Sequence, residues 1–167
     1  MKIEIIPPSC NLDTVKDGRG GIFTFYPKDP IVEINFNIVK AGKIRGNHHH
    51  PEFDEYYLLT SGEGVLVCKD TPESKEEFLY LSRGQCTRTP KGTSHVFLAI
   101  SDCTLVVLLT KKWDDCETPI VHEDMGMGKG DHGDPNSPYK VHGVSSAQQG
   151  VVRRKYKEMT APPERAE

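Results

Sequence analysis

At 167 residues, with 21 Lys and Arg against 24 Asp and Glu, the chain is long enough for one domain with a real core. Its formal charge of −3 excludes a sequence-independent pull toward nucleic acid or an anionic membrane surface. The five cysteines (Cys10, Cys68, Cys86, Cys103 and Cys116) are odd in number and lack a C-x-x-C pair, which argues against a disulfide framework and a thiolate zinc site; with no signal-peptide run and no stretch near the ~20 apolar residues of a membrane span, a cytoplasmic protein is expected.

Apolar residues come in short runs rich in β-branched and aromatic types, with no sustained i, i+3, i+4, i+7 repeat, so the chain reads as all-β. Strands are predicted over residues 3–6, 22–26, 31–39, 56–60, 64–68, 78–81, 96–100 and 104–110. Turn signals separate them at Lys16-Asp17-Gly18, Ala41-Gly42-Lys43, Ser61-Gly62-Glu63 and Pro90-Lys91-Gly92. Many short strands at close spacing fit a sandwich or a closed barrel. Within 31–39, Glu33, Asn35 and Asn37 alternate with apolar residues, as on a strand with one face buried.

Composition shifts after Trp113. Residues 1–113 are expected to form the core, 114–159 a Gly- and Pro-rich extension packing on it or covering it, and 160–167 a flexible polar tail. The run Gly126-Met127-Gly128-Lys129-Gly130 lacks the spacing of a phosphate loop. Lys111, Lys112 and Trp113 read as residues at a strand end, and His122, His132 and His142 as loop or surface histidines.

The chemistry concentrates in two segments. In Asn47-His48-His49-His50 on a strand, residues i and i+2 share a face, so His48 and His50 can aim at one point while His49 points away. Glu55 opens the next apolar run after a Pro51–Asp54 bend, and His95 follows the Pro90-Lys91-Gly92 turn at the start of another. Three imidazoles and one carboxylate suit a divalent transition metal: Fe, Mn, Zn, Ni, Co or Cu. Each residue alone has a plainer reading: the histidine run a surface stretch, Glu55 a solvated charge, His95 a partly buried histidine. Their joint spacing argues for the metal site.

That spacing resembles the two motifs of the cupin superfamily. Gly42, His48, His50, Glu55 and Gly62 match the first, and Gly84, Pro90, Gly92 and His95 match the second, with Ala99 where an Asn is usual. The resemblance spans residues 42–99 and implies a double-stranded β-helix, the cupin jelly-roll barrel, with the metal held by His48, His50, Glu55 and His95. It also implies pairing into a homodimer. A weaker likeness, carried by Asp17-Gly18-Arg19-Gly20 and by Arg45-Gly46-Asn47-His48-His49-His50, is to cupin-fold sugar-nucleotide epimerases and ketoisomerases and to the metal-carrying cupin domains of capsular-sugar enzymes. In the epimerases the histidine aligned with His48 is a base and no metal is used, whereas His50 and Glu55 here complete a metal site.

The resulting expectation is a metal-dependent isomerase or epimerase of a sugar, sugar phosphate or sugar nucleotide. The ion would polarise a carbonyl while a nearby group moves the proton. His48 and Tyr57 are the candidate catalytic residues, and Arg45 and Tyr57 the candidate substrate-binding ones; Tyr57 shares the Glu55 face by alternation. An iron-dependent dioxygenase of a small organic substrate and a non-enzymatic sugar-binding barrel are the alternatives. The expected partner is a small molecule, a carbohydrate, with no nucleic acid and no membrane.

Overall fold

The computed structural model describes residues 3–8, 15–71, 73–123 and 125. Twelve strands run in chain order: β1 (Glu4–Ile6), β2 (Val15–Asp17), β3 (Gly20–Ile22), β4 (Glu33–Val39), β5 (Ile44–His49), β6 (Glu55–Ser61), β7 (Glu63–Lys69), β8 (Glu77–Ser82), β9 (Cys86–Thr89), β10 (Ser94–Ala99), β11 (Cys103–Leu109) and β12 (Val121–His122). They form two five-stranded antiparallel sheets, ordered β1-β9-β6-β11-β4 and β12-β5-β10-β7-β8, plus the separate hairpin β2-β3. From β4 to β12 the chain alternates between the two sheets except at the β7–β8 hairpin, which is the double-stranded β-helix expected from the motifs.

Side chains from the facing surfaces of the sheets fill the interior. Leu59, Leu105, Val107 and Leu109 come from one sheet, and Leu66, Cys68, Leu81, Phe97 and Ala99 from the other. Burying each Leu or Phe contributes about 1.5–3 kcal/mol relative to exposure. Gly64 makes room for the largest of them, since a Cβ there would stand 2.3 Å from Phe97 Cζ. The second sheet is also covered on its outer face, where Val65, Val67, Val96 and Leu98 pack with Ile44, Ile100 and Met125. Strands β7 and β10 are therefore apolar at consecutive positions, as strands buried on both faces must be.

The structure corrects three expectations. Residues 23–27 carry no strand; instead β2 and β3 form a tight hairpin around Gly18 and Arg19, where Arg19 pairs with Asp17 at 2.6 Å. Strands β5, β9 and β12 complete the sheets, and none of them has the apolar run by which strands were recognised. The polarity of β4 is also the reverse of a simple one-sided strand. In register, Glu33, Asn35 and Asn37 lie opposite the inward residues Leu109, Val107 and Leu105, while Ile34, Phe36 and Ile38 face out and are more than half exposed. Residues 126–138, with the glycine run at 126–130, and His132, His142, Cys10 and the tail at 160–167 lie outside the described residues.

The turn at 40–43 links the two sheets. Lys43 N–H donates to the Lys40 carbonyl at 2.9 Å and Gly42 has φ 76°, so the chain passes directly from β4, the edge of one sheet, to β5 in the other. Only His48 and His49 of β5 have a partner in β12. Among the described residues, the first half of β5 has no partner in β12, and β4 is an edge strand.

Candidate functional site

Strands β5, β6 and β10 deliver four titratable residues to one place inside the mouth. His95 stands opposite His48 across the β5–β10 ladder, His50 follows directly after β5, and Glu55 is the first residue of β6. The ring centroids of His48 lie 4.7 Å from His50 and 4.9 Å from His95, and one ligating nitrogen from each of the three falls within 4.8 Å of the others. Glu55 Oε2 is 3.0 Å from His95 Nε2 and 3.7 Å from His50 Nε2. All four expected ligand residues converge.

The tautomers follow from the backbone. His95 Nδ1 is 3.0 Å from the Thr93 carbonyl, and His50 Nδ1 is 2.8 Å from the Pro119 carbonyl. A carbonyl only accepts, so each Nδ1 carries the hydrogen and each Nε2 presents a lone pair. Those two Nε2 atoms and Glu55 Oε2 are buried without a hydrogen-bond partner. The 3.0 Å approach of Glu55 to His95 thus sets acceptor against acceptor. Burial of such groups is costly unless a positive centre lies between them. One proton could join His95 to Glu55, but it would leave the His50 lone pair unmatched; a divalent cation matches all of them, and outer-sphere carbonyls on Nδ1 are the usual means of aiming histidine ligands. The residues present fit a bound metal ion.

Electrostatics agree with a cation-accepting centre. Burial lowers the pKa of His48 to about 3, with the neighbouring histidines adding to it. Burial also lowers that of His50, against the pull of Glu55. Glu55 is fully enclosed, which works to raise its pKa, yet the His95 contact and the charges of the three histidines hold it at about 2. His95 shows the converse: burial works against its charged form, and the Glu55 contact carries its pKa above the ordinary value. Two histidines are thus kept as neutral donors beside a carboxylate kept ionised.

Tyr57 and Arg45 share the face of this cluster. Tyr57 is buried on the Glu55 side of β6, its ring 6.0 Å from His95 and stacked on Phe97. Burial, then the charge of Glu55, push its hydroxyl pKa well up, so it keeps its proton. Arg45 reaches the face through an irregularity. Three residues before His48, it would point the opposite way on a plain strand. The ladder pairs His95 with His48 but Val96 with Gly46, which leaves Asn47 as an extra residue: a β-bulge, with Gly46 at φ 120° and Asn47 at φ 61°. The bulge restores parity, setting Arg45 opposite Phe97 on the inner face, where it is exposed at the mouth and acts electrostatically on Tyr57.

Four features of the site were not anticipated. Half-buried Glu33, Asn35 and Asn37 line the β4 side of the interior, with Asn35 donating to Glu33 at 3.0 Å. Trp113, read as a strand-end residue, has its ring 6.0 Å from that of His50, and its backbone N–H donates to Glu33 at 2.8 Å. The stretch around Pro119 supplies the acceptor for His50. His122, read as a loop or surface histidine, pairs in register with His48 with its ring centroid 6.3 Å away. The Gly46-Asn47 dipeptide inside a strand was the one sequence signal of the bulge; the others depend on contacts distant in sequence.

No protein-family model matches the chain, and no curated protein matches it by sequence. Solved structures do. The chain is similar to a 3,4-ketoisomerase from Helicobacter canadensis, with 20% identity and a TM-score of 0.62 over 72% of this chain and 90% of the other. It is similar to the WlaRB TDP-quinovose 3,4-ketoisomerase from Campylobacter jejuni, with 16% identity and a TM-score of 0.61 over 72% and 92%. A third likeness is to the capsular polysaccharide assembling protein CapF from Staphylococcus aureus, with 24% identity and a TM-score of 0.52 over 68% of this chain but only 34% of that one. At these identities the likeness establishes the fold, and the chain is a cupin-type barrel.

Proposed function

We propose that the chain is a metal-dependent isomerase of a keto sugar carried on a nucleotide, with His48, His50, Glu55 and His95 as the metal ligands. The observation that carries this reading is the pair of Nε2 lone pairs, fixed by backbone acceptors on Nδ1 and converging with Glu55 inside the barrel. An ion there would supply Lewis acidity toward a substrate carbonyl. The fold's similarity to 3,4-ketoisomerases, one of them solved in complex with TDP, supports the choice of substrate class. Arg45 at the rim offers a planar, permanently charged fork for a phosphate, and Tyr57 keeps its proton and hydrogen-bonds Glu55 beside the site. Asn35 and Asn37 present amides to hydroxyl groups.

The test pairs metal analysis with isotope exchange, using TDP-4-keto-6-deoxyglucose in deuterated water. Wild type is expected to purify with about one transition-metal ion per chain and to exchange a substrate C–H proton. Turnover with neither exchange nor hydride shift sinks the isomerase reading, and oxygen consumption by iron-loaded protein points to a dioxygenase. His48→Asn separates the two roles of that residue: a ligand loses the ion, whereas a metal-free base keeps the fold and the ion content unchanged and abolishes exchange.

We further infer that the working unit is a homodimer formed through the outer face of β4. Val32, Ile34, Phe36 and Ile38 expose on the order of 400 Å² of apolar surface, judged from the size of such side chains, beside Val106 and Leu108 on the neighbouring strand. A standard interface buries about 800 Å² per partner, so this stripe supplies much of the apolar centre that a second copy needs.

A further inference from the structure

Residues 116–123 run from the end of the barrel back across its mouth, and their anchorage is out of proportion to the two-residue strand they form. Thr118 N–H donates to Glu52 at 2.6 Å, and Glu52 is itself held by Lys111. The Pro119 carbonyl takes the His50 hydrogen, and Glu123 N–H donates to the Asn47 carbonyl at 2.8 Å. The Glu123 carboxylate accepts from Ser94 and lies 3.7 Å from His49. Between these fixed points Val121 pairs with His49 and His122 with His48. Paired residues in an antiparallel ladder share a face, so His122 lies on the side of His48 and Arg45, whereas Val121 and Glu123 share the side of His49.

We propose that His122 is a substrate-binding residue of this centre, hydrogen-bonding an oxygen of the ligand held there. Its distance is the deciding quantity. The ligand histidines are spaced 4.7, 4.9 and 5.5 Å apart between ring centroids, whereas His122 is 6.3 Å from the nearest of them and outside the cluster whose nitrogens converge. Its nitrogens do not join those of the three ligand histidines, so it is not assigned to the ion, yet it stands near enough to touch a molecule that an ion there would retain. It is exposed, so its ring nitrogens are open to a ligand. A neutral imidazole offers one donor and one acceptor, which is the complement of a hydroxyl or an enolisable carbonyl–hydroxyl pair. The inference rests on the metal-centre reading above and adds a residue that neither cupin motif contains.

The test uses cobalt-loaded protein and acetohydroxamate, a two-oxygen probe for the open side of such a centre, with binding followed through the visible cobalt absorption. His122→Leu is expected to retain cobalt at the wild-type stoichiometry and melting temperature while weakening acetohydroxamate about tenfold, the scale of one lost hydrogen bond. His122→Gln, which keeps a donor and an acceptor, is expected to recover most of that loss. Equal binding by wild type and His122→Leu overturns the proposal, and so does loss of cobalt from His122→Leu, which would make His122 a ligand or a structural residue. A wild type that takes up no cobalt overturns the metal-centre reading and this proposal together. Because the probe is not a sugar, normal acetohydroxamate results alongside inert TDP-4-keto-6-deoxyglucose would remove the proposed substrate and leave the role of His122 standing.

Discussion

The His50 ring is tied through Nδ1 to the carbonyl of Pro119, 69 residues further along the chain, at 2.8 Å. One of the candidate ligands is therefore aimed by a segment outside both cupin motifs. A backbone carbonyl cannot be removed by substitution, but its anchorage can. Glu52→Ala deletes the acceptor of Thr118 N–H and the partner of Lys111. The expected outcome is a tenfold to hundredfold loss of metal affinity, the usual scale for disturbing an outer-sphere partner, with the barrel's unfolding midpoint little changed. Competition against a chelator of known affinity measures it.

Gly46 carries the bulge that brings Arg45 and His48 onto one face. A Cβ at this position would lie 2.6 Å from the His95 carbonyl oxygen and 2.7 Å from Val96 Cα, with φ at 120°. Neither neighbour can yield, since both are backbone of the central strand β10. Gly46→Ala is expected to destabilise the fold by about 2–4 kcal/mol, combining a strained dihedral with overpacking, and to lower metal content in whatever remains folded. Urea unfolding beside metal analysis checks both.

Much of the barrel and all four candidate ligands were legible because they depend on local pattern: apolar runs bounded by Gly and Pro, and the His-x-His spacing. The reversed β4 was not. Its alternation is plain in the sequence, but period-two patterning says only that two faces differ, and here the polar face is the inward one. Strand β5 was legible only through its His-x-His spacing, because its residues serve the site rather than forming an apolar run. His122 is exposed, as a surface histidine should be, but its place beside His48 depends on a two-residue pairing that no periodicity reports.

The centre makes the metal-free protein acid-sensitive, and the sign can be worked out. Unfolded histidines titrate near 6.5. In the fold, burial puts His48 at about 3 and lowers His50, while His95, despite burial, is raised by Glu55. The two lowered groups contribute stability that is full above pH 6.5 and is lost as the pH falls toward their folded values. The raised one contributes stability that is full below 6.5 and is lost only as the pH rises through its folded value. Around pH 5 the unfolded chain therefore holds about one more proton at His48 than the folded one, a slope of up to about 1.4 kcal/mol per pH unit, and His50 acts in the same direction. Chelator-treated protein is expected to be markedly less stable to urea at pH 5.5 than at pH 7. Equal midpoints would contradict the buried, neutral state assigned to His48 and His50.

Phe36 stands opposite Val106 on the outer face of β4 and β11 and is 65% exposed. If a second copy covers it, a charge placed there must be left buried in an apolar interface. If nothing covers it, the same charge is solvated and costs little. Phe36→Asp is therefore expected to convert a dimer to a monomer in analytical ultracentrifugation. It should leave the metal content per chain intact, because the inner face of β4 is formed by the alternate residues Asn35 and Asn37. A wild type that sediments as a monomer at all concentrations removes the dimer. A Phe36→Asp variant that remains dimeric moves the interface to another surface.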